Sequence, residues 1–112
     1  MSEIKRLTLE FLKLLADPVR LEILSLLKIS SLNSADLQKE LGRSQSTTSK
    51  HLNMLILNDI IDFERKNKVK YYRIKNDEVI ELLNNIISTV LNMNKKRLKD
   101  LQNVDIEDVL SP

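Results

Sequence analysis

The chain has 112 residues, 18 Lys+Arg against 16 Asp+Glu for a net charge of +2, one Gly, no Cys, no Trp and one His. That length holds one compact domain, or one domain plus an extra helix. The composition excludes a disulfide scaffold, a thiolate metal site, a thiol nucleophile and a histidine-cluster metal site, and with them most nucleophile–base pairs of enzymes.

Residues 3–16 read as a helix, because Ile4, Leu7, Phe11, Leu12 and Leu15 recur at three- and four-residue intervals. Leu9 and Leu14 fall off that stripe, so the helix is expected to touch both a core and a partner. Asp17-Pro18 is a helix start: Asp caps, and Pro fits the first helical position, where an N–H has no partner anyway. This second helix runs to about Ile29, with Val19, Ile23, Leu24 and Leu27 inward. Ser30-Ser31-Leu32-Asn33 breaks the period. Ser34 is read as the cap of a short third helix, Ala35 to Leu41. Gly42, the only glycine, then supplies a left-handed residue that reverses the chain. Ser44 caps a fourth helix whose inward positions are Thr48, Leu52 and Leu55, with the Thr48 hydroxyl expected to bond back to its own helix. Two helices joined by a short glycine turn, the second opening on small polar side chains, form a helix-turn-helix pattern over about 34–57.

Ile60 to Arg65 and Val69 to Ile74 are strand-like runs around Lys66-Asn67-Lys68, with Asn67 suited to a hairpin tip. A hairpin over about 60–75 directly after a helix-turn-helix is a wing. From Asp77 to about Leu101 the 3.6 period returns. Ile80, Leu83, Ile87, Val90, Leu91 and Leu98 lie on or beside one stripe, too long for so small a domain to cover alone. Residues 102–112 are acidic and aperiodic and are expected to fray or pack loosely. The fold class is therefore mainly α with a small β-hairpin: one winged-helix domain over 1–112. With 21 Leu and 11 Ile but only four Phe and Tyr, the core is aliphatic.

Charge is unevenly placed. Residues 1–42 are neutral, residues 43–75 carry eight basic and three acidic side chains, and residues 76–112 are net −3. The excess lies on the fourth helix and the wing, where a duplex would demand it. Gln45, Ser46, Ser49, Lys50 and Asn53 lie away from the inward stripe of the fourth helix and suit base edges or phosphates. Arg43 and Ser44 join the DNA-facing set, Thr47 suits a phosphate or a thymine methyl and equally a local structural role, and Arg65, Lys66, Lys68 and Lys70 suit phosphates or the minor groove, although strand alternation lets only some of the wing cations face DNA. His51 reads as a packed side chain or a phosphate contact. Arg20 is balanced between a structural ion pair and a phosphate contact. Tyr71 and Tyr72 are read as hairpin packing.

The sequence resembles the ArsR/SmtB type of winged-helix transcriptional regulator. The residues that carry the likeness are Leu15-Ala16-Asp17-Pro18-Val19-Arg20-Leu21-Glu22-Ile23-Leu24, Leu37 to Leu41 with Gly42, Ser44-Gln45-Ser46-Thr47-Thr48-Ser49-Lys50-His51-Leu52, and the hairpin ending Tyr71-Tyr72-Arg73-Ile74. The resemblance implies a homodimer through the first and last helices (about 3–16 and 77–101), with Ile4, Leu7, Phe11, Ile80, Leu83, Ile87, Val90, Leu91 and Leu98 at its interface. It further implies a reading helix in each of two successive major grooves and repression relieved by a ligand. The metal-sensing cysteines of that type are absent, and the last helix has no His. An oxygen-only site at Asp77, Glu78 and Glu81 is the one metal arrangement left open, and helix capping explains those acids better.

The expected function is a sequence-specific, double-stranded DNA-binding regulator, a dimeric repressor, with no enzymatic activity, no cofactor and no effector that the sequence names. The alternative is a winged-helix protein–protein module that does not read DNA. No apolar run approaches the roughly 20 residues of a membrane span and the N-terminus lacks a signal-peptide pattern, so the expectation is a cytoplasmic protein without membrane contact.

Overall fold

The computed structural model describes residues 2–101. Helix α1 spans Glu3–Leu15 and opens on Ser2, whose hydroxyl accepts the Lys5 N–H at 3.2 Å. Helix α2 spans Pro18–Ile29, capped by the Asp17 carboxylate, which accepts the N–H groups of Val19 and Arg20 at 2.9 and 3.0 Å. Leu32–Asn33, which lie in the break of the helical period, form a two-residue strand, β1. Helix α3 spans Ser34–Leu41, α4 Gln45–Leu57, β2 Ile61–Lys66, β3 Val69–Ile74 and α5 Asp77–Met93.

The cap of α3 is Asn33, not Ser34: the Asn33 side chain accepts the Asp36 N–H at 2.8 Å, while the Ser34 hydroxyl accepts from the Gln38 amide. Asn and Ser are equally good caps, so the choice between neighbours was set by β1, which holds Asn33 extended. Gly42 closes α3 in the left-handed region at φ 62°, and its N–H and that of Arg43 return to the carbonyls of Lys39 and Gln38. Ser44 then caps α4 by accepting the Thr47 N–H at 3.2 Å.

The three strands form one antiparallel sheet in the order β1-β3-β2. The β2–β3 pair runs from Ile61 opposite Ile74 to Lys66 opposite Val69, which leaves Asn67-Lys68 as a two-residue turn. Both turn residues have positive φ, 52° and 69°, the type I′ geometry whose twist matches a hairpin.

Backbone contacts divide the chain at Asp77/Glu78 into two compact units. The first has its core where α2, α3, α4 and the sheet converge: Ile23, Leu24, Leu27, Leu37, Leu52, Leu55, Ile60 and Ile61 are all buried, with Tyr72 over them. Helix α1 adds Leu14 and Leu15. Leu14, placed off the stripe by sequence, is buried, whereas Leu12 is half exposed. The core anchors only the last turn of α1 and leaves Ile4, Leu7, Leu9 and Leu12 uncovered in the chain as described.

In the second unit, Leu82, Ile86, Ile87, Val90, Leu91 and Met93 of α5 are each at least 40% exposed. The single helix expected over 77–101 is interrupted at Asn94. The Asn94 side chain bonds the Val90 carbonyl, its N–H reaches both Val90 and Leu91, and helical structure resumes over 95–101. The tail expected to fray, 102–112, lies outside the described residues.

Thr48 is buried as placed by sequence, but its hydroxyl has no hydrogen-bond partner instead of the expected bond within its helix. An unpaired buried hydroxyl is a net cost. Replacing it with the isosteric methyl in Thr48→Val is therefore expected to stabilise the fold by about 1 kcal/mol. Urea denaturation followed by circular dichroism checks this, and an equal loss instead would show that the hydroxyl is satisfied in solution.

Candidate nucleic-acid interface

Helix α4 presents two kinds of surface because 100° per residue separates them. Thr48, Leu52 and Leu55 face the core. Ser46, Lys50 and Asn53 lie opposite and are exposed. Gln45 and Ser49 form one flank, joined by a 3.0 Å hydrogen bond from the Gln45 amide to the Ser49 hydroxyl. That bond fixes one donor of a flexible amide and leaves its oxygen and second N–H for an outside partner. Thr47, His51 and Met54 form the other flank. Ser44 gathers the first turn, lying 3.1 Å from the Thr47 hydroxyl and 3.3 Å from that of Ser46.

The strand register sorts the wing cations. Arg65 stands opposite Lys70, on the face that carries Phe63 and Tyr72, while Lys66 lies on the other face with Tyr71 and Lys68 sits in the turn. The Lys70 ammonium and Arg65 guanidinium are 4.6 and 5.7 Å from the centre of the Phe63 ring, and Lys66 is 5.8 Å from that of Tyr71. Like charges directly opposite on a hairpin repel. The aromatic rings supply partial compensation, and an anion would supply more.

All three acidic side chains of residues 43–75 are consumed locally. Arg73 bonds both Asp62 and Glu64, at 2.8 and 3.1 Å, and Lys75 bonds Asp59 at 3.1 Å. These are exposed pairs with little stabilising value. Their consequence is one of placement: among the described residues, Arg43, Lys50, Arg65, Lys66, Lys68 and Lys70 have no acidic partner, and all six lie on α4, its preceding turn or the wing tip.

Beneath the Thr47–His51 flank lies a buried polar cluster. Arg20 is 8% exposed. Its Nε donates to the Leu14 carbonyl at 2.6 Å and its Nη2 to the Lys13 carbonyl at 3.2 Å, satisfying the open C-terminus of α1. Its Nη1 lies 3.1 Å from Nδ1 of His51, 3.4 Å from the Met54 sulfur and 3.9 Å from the Asp17 carboxylate. Arg20 is thus a structural residue, which decides between the two roles weighed from sequence. The signal was legible: Arg20 shares the i, i+3, i+4, i+7 stripe of Ile23, Leu24 and Leu27, a core position occupied by a charge.

Burial holds the His51 imidazole below its ordinary 6.5, with Arg20, Lys50 and Arg43 adding to the effect and Asp17 opposing it. For Asp17, burial favours the neutral acid, but the Arg20 backbone N–H, the Arg20 guanidinium, His51 and the Val19 N–H together bring its carboxyl below the ordinary 3.8. Among the described residues no three His, Cys, Asp or Glu side chains converge in a way that could hold a metal ion, Asp77, Glu78 and Glu81 included.

A family model described as bacterial regulatory protein, arsR family, matches residues 17–62, from the α2 cap through the start of the wing. An arsenical resistance operon repressor of Staphylococcus xylosus is 40% identical over 73 residues, 65% of this chain and 69% of its own length. The chain belongs to the arsR family of bacterial regulatory proteins. The transcriptional repressor SdpR of Bacillus subtilis is 32% identical over 89 residues, covering 80% of this chain and 94% of that one. Among solved structures, the M. tuberculosis protein Rv0081 superposes with a TM-score of 0.82 at 25% identity, over 88% of this chain and 99% of the other. As an arsR-family member the chain is a DNA-binding transcriptional regulator of the winged helix-turn-helix type, with α3–Gly42–α4 as the helix-turn-helix and β2–β3 as the wing. The family and these relatives are regulatory proteins rather than enzymes.

The lowered His51 pKa has a direction in stability. The unfolded chain, in which His51 titrates near 6.5, takes up its proton before the folded chain does. The contribution is complete above that pH and is lost as pH falls below it. Asp17 acts in a lower window, contributing above 3.8 and losing its contribution as pH falls through its depressed folded value. The urea midpoint is expected to be level from about pH 8 to 7 and to drop by about pH 5.5, with a smaller drop in His51→Gln. Parallel profiles for the two proteins would remove His51 from the account.

Proposed function

We propose that this arsR-family regulator is a homodimeric repressor that reads an inverted repeat in duplex DNA, working in the cytoplasm. The observation that carries the reading is the cluster of six cations on α4, its turn and the wing tip, where the acids of the same segment, Asp59, Asp62 and Glu64, are already paired with Lys75 and Arg73. Gln45, Ser46, Ser49, Lys50 and Asn53 approach base edges, where Gln and Asn suit adenine and Lys suits guanine. Arg43, Ser44, Thr47, His51, Arg65, Lys66, Lys68 and Lys70 take phosphates and set register. The wide exposed apolar stripes of α1 and α5 support the dimer, with Ile4, Leu7, Phe11, Ile80, Leu83, Ile87, Val90, Leu91 and Leu98 at its interface. Two reading helices about 34 Å apart then match half-sites one helical turn apart.

The names of the relatives support repression. The signal is of another kind from a thiolate-bound metal, since the chain holds no cysteine. No helix among the described residues is long and apolar enough to cross a membrane.

Selection of bound sequences from a random duplex pool is expected to return an inverted repeat, and affinity should fall steeply with salt. The double replacement Gln45→Ala with Lys50→Ala is expected to abolish sequence preference while leaving the dimer intact. Absence of duplex binding at low salt would overturn the reading in favour of a protein-docking module. Leu83→Asp with Ile87→Asp is expected to give monomers in sedimentation velocity, and an unaltered dimer would remove α5 from the interface.

A further inference from the structure

We propose that Arg20 is a positioning residue for DNA binding: by occupying Nδ1 of His51 it fixes the imidazole as the Nε2–H tautomer and aims that N–H from the flank of α4 at a DNA phosphate. The inference rests on the DNA-reading role of α4 and deepens it. A guanidinium is only a donor, so at 3.1 Å from Arg20 Nη1 the His51 Nδ1 must be the acceptor, and the ring proton resides on Nε2.

Nε2 lies across the ring from Nδ1 and so points away from Arg20. It makes no hydrogen bond with the described residues and is not fully buried, so Nε2 reaches solvent. The His51 side chain keeps 12% of its surface, enough for one donor and too little for a freely rotating ring. The cluster also holds the ring in place. Arg20 is tied to two α1 carbonyls and to Met54, and Asp17 Oδ1 stands 3.9 Å from His51 Nδ1. The charged groups around the ring are Asp17 and Arg20 from the α2 start, Lys50 on α4 and Arg43 in the turn. Three of those four are cations, so an approaching phosphate meets a favourable field.

His51 is the only histidine, so the protein gives a single imidazole in nitrogen-15 spectra. The free protein near neutral pH is expected to show Nδ1 unprotonated and Nε2 protonated. On adding the selected duplex, exchange of the Nε2 proton should slow and the His51 pKa should rise, because a phosphate favours the protonated form. A ring protonated at Nδ1, or one that titrates identically with and without DNA, would overturn the proposal.

Two variants separate the donor from the fold. His51→Asn keeps an acceptor for Arg20 where Nδ1 stood and removes the Nε2 donor. It is expected to lose about tenfold in affinity on selected and random duplex alike. The salt slope should stay unchanged, because a neutral donor displaces no counterion. His51→Gln restores a donor near the Nε2 position and is expected to retain most of the affinity. Wild-type affinity in His51→Asn would sink the proposal, as would equal losses in both variants at unchanged melting temperature. Arg20→Met is expected to release the ring into a tautomer mixture and weaken binding, with no further loss in the His51→Asn background; additive losses would show that Arg20 does not act through His51. If Arg20→Met does not fold, the histidine variants still decide. Failure of the wild-type chain to bind any duplex would instead sink the DNA-reading role itself.

Discussion

The Arg20 guanidinium is the interaction on which the first unit depends. A charge this buried persists only when its donors are used. Here two go to the carbonyls that end α1, one edge meets the imidazole of α4, and the Asp17 carboxylate that starts α2 stands beside it. One side chain therefore joins an end, a beginning and the reading helix, three elements that the hydrophobic core alone would hold by non-directional contact. Aliphatic cores of Leu and Ile are tolerant of sliding. A forked, hydrogen-bonded cation is not, and it ties the end of α1 and the start of α2 to the His51 and Met54 side chains of α4.

The second organising feature is how opposite charges are disposed. The wing carries its acids near the sheet base, where Asp62 and Glu64 bracket Arg73, and its remaining cations toward the tip. The result is a hairpin whose base is electrically quiet and whose tip is not. Phe63 shields the mutual repulsion of Arg65 and Lys70 only in part. In isolation the tip costs stability, and opposite a polyanion the same repulsion becomes attraction.

Much of this was legible in the sequence. Apolar spacing found every helix of the first unit, because apolar residues recur at helical intervals in each, and the lone glycine marked the left-handed residue that closes α3. Asp17-Pro18 and Ser44 announced their helices through capping chemistry that acts over three residues. What escaped depends on partners remote in sequence. Leu32–Asn33 is a strand only because Tyr71 and Tyr72 lie beside it, and that pairing also moved the α3 cap to Asn33. Leu14 is buried because the core covers one end of α1, a fact its own periodicity does not contain. Thr48 was correctly turned inward, but spacing says nothing of whether a hydroxyl finds an acceptor. The role of Arg20 needed the positions of α1 and α4 as well as its own. At the interface, the residues of α4 could be sorted by face from sequence, whereas the sorting of Arg65, Lys66 and Lys70 waited on the hairpin register.

The two-residue turn at the wing tip carries a consequence of its own. Asn accepts positive φ readily, but a lysine there bears a steric penalty that glycine would not. A hairpin optimised for its own folding would read Asn-Gly. Lys68 instead keeps a positive charge in the turn of the wing, on a backbone already bent against its preference. The turn therefore spends folding stability to keep a cation at the wing tip, a cost that the proposed phosphate contact would offset.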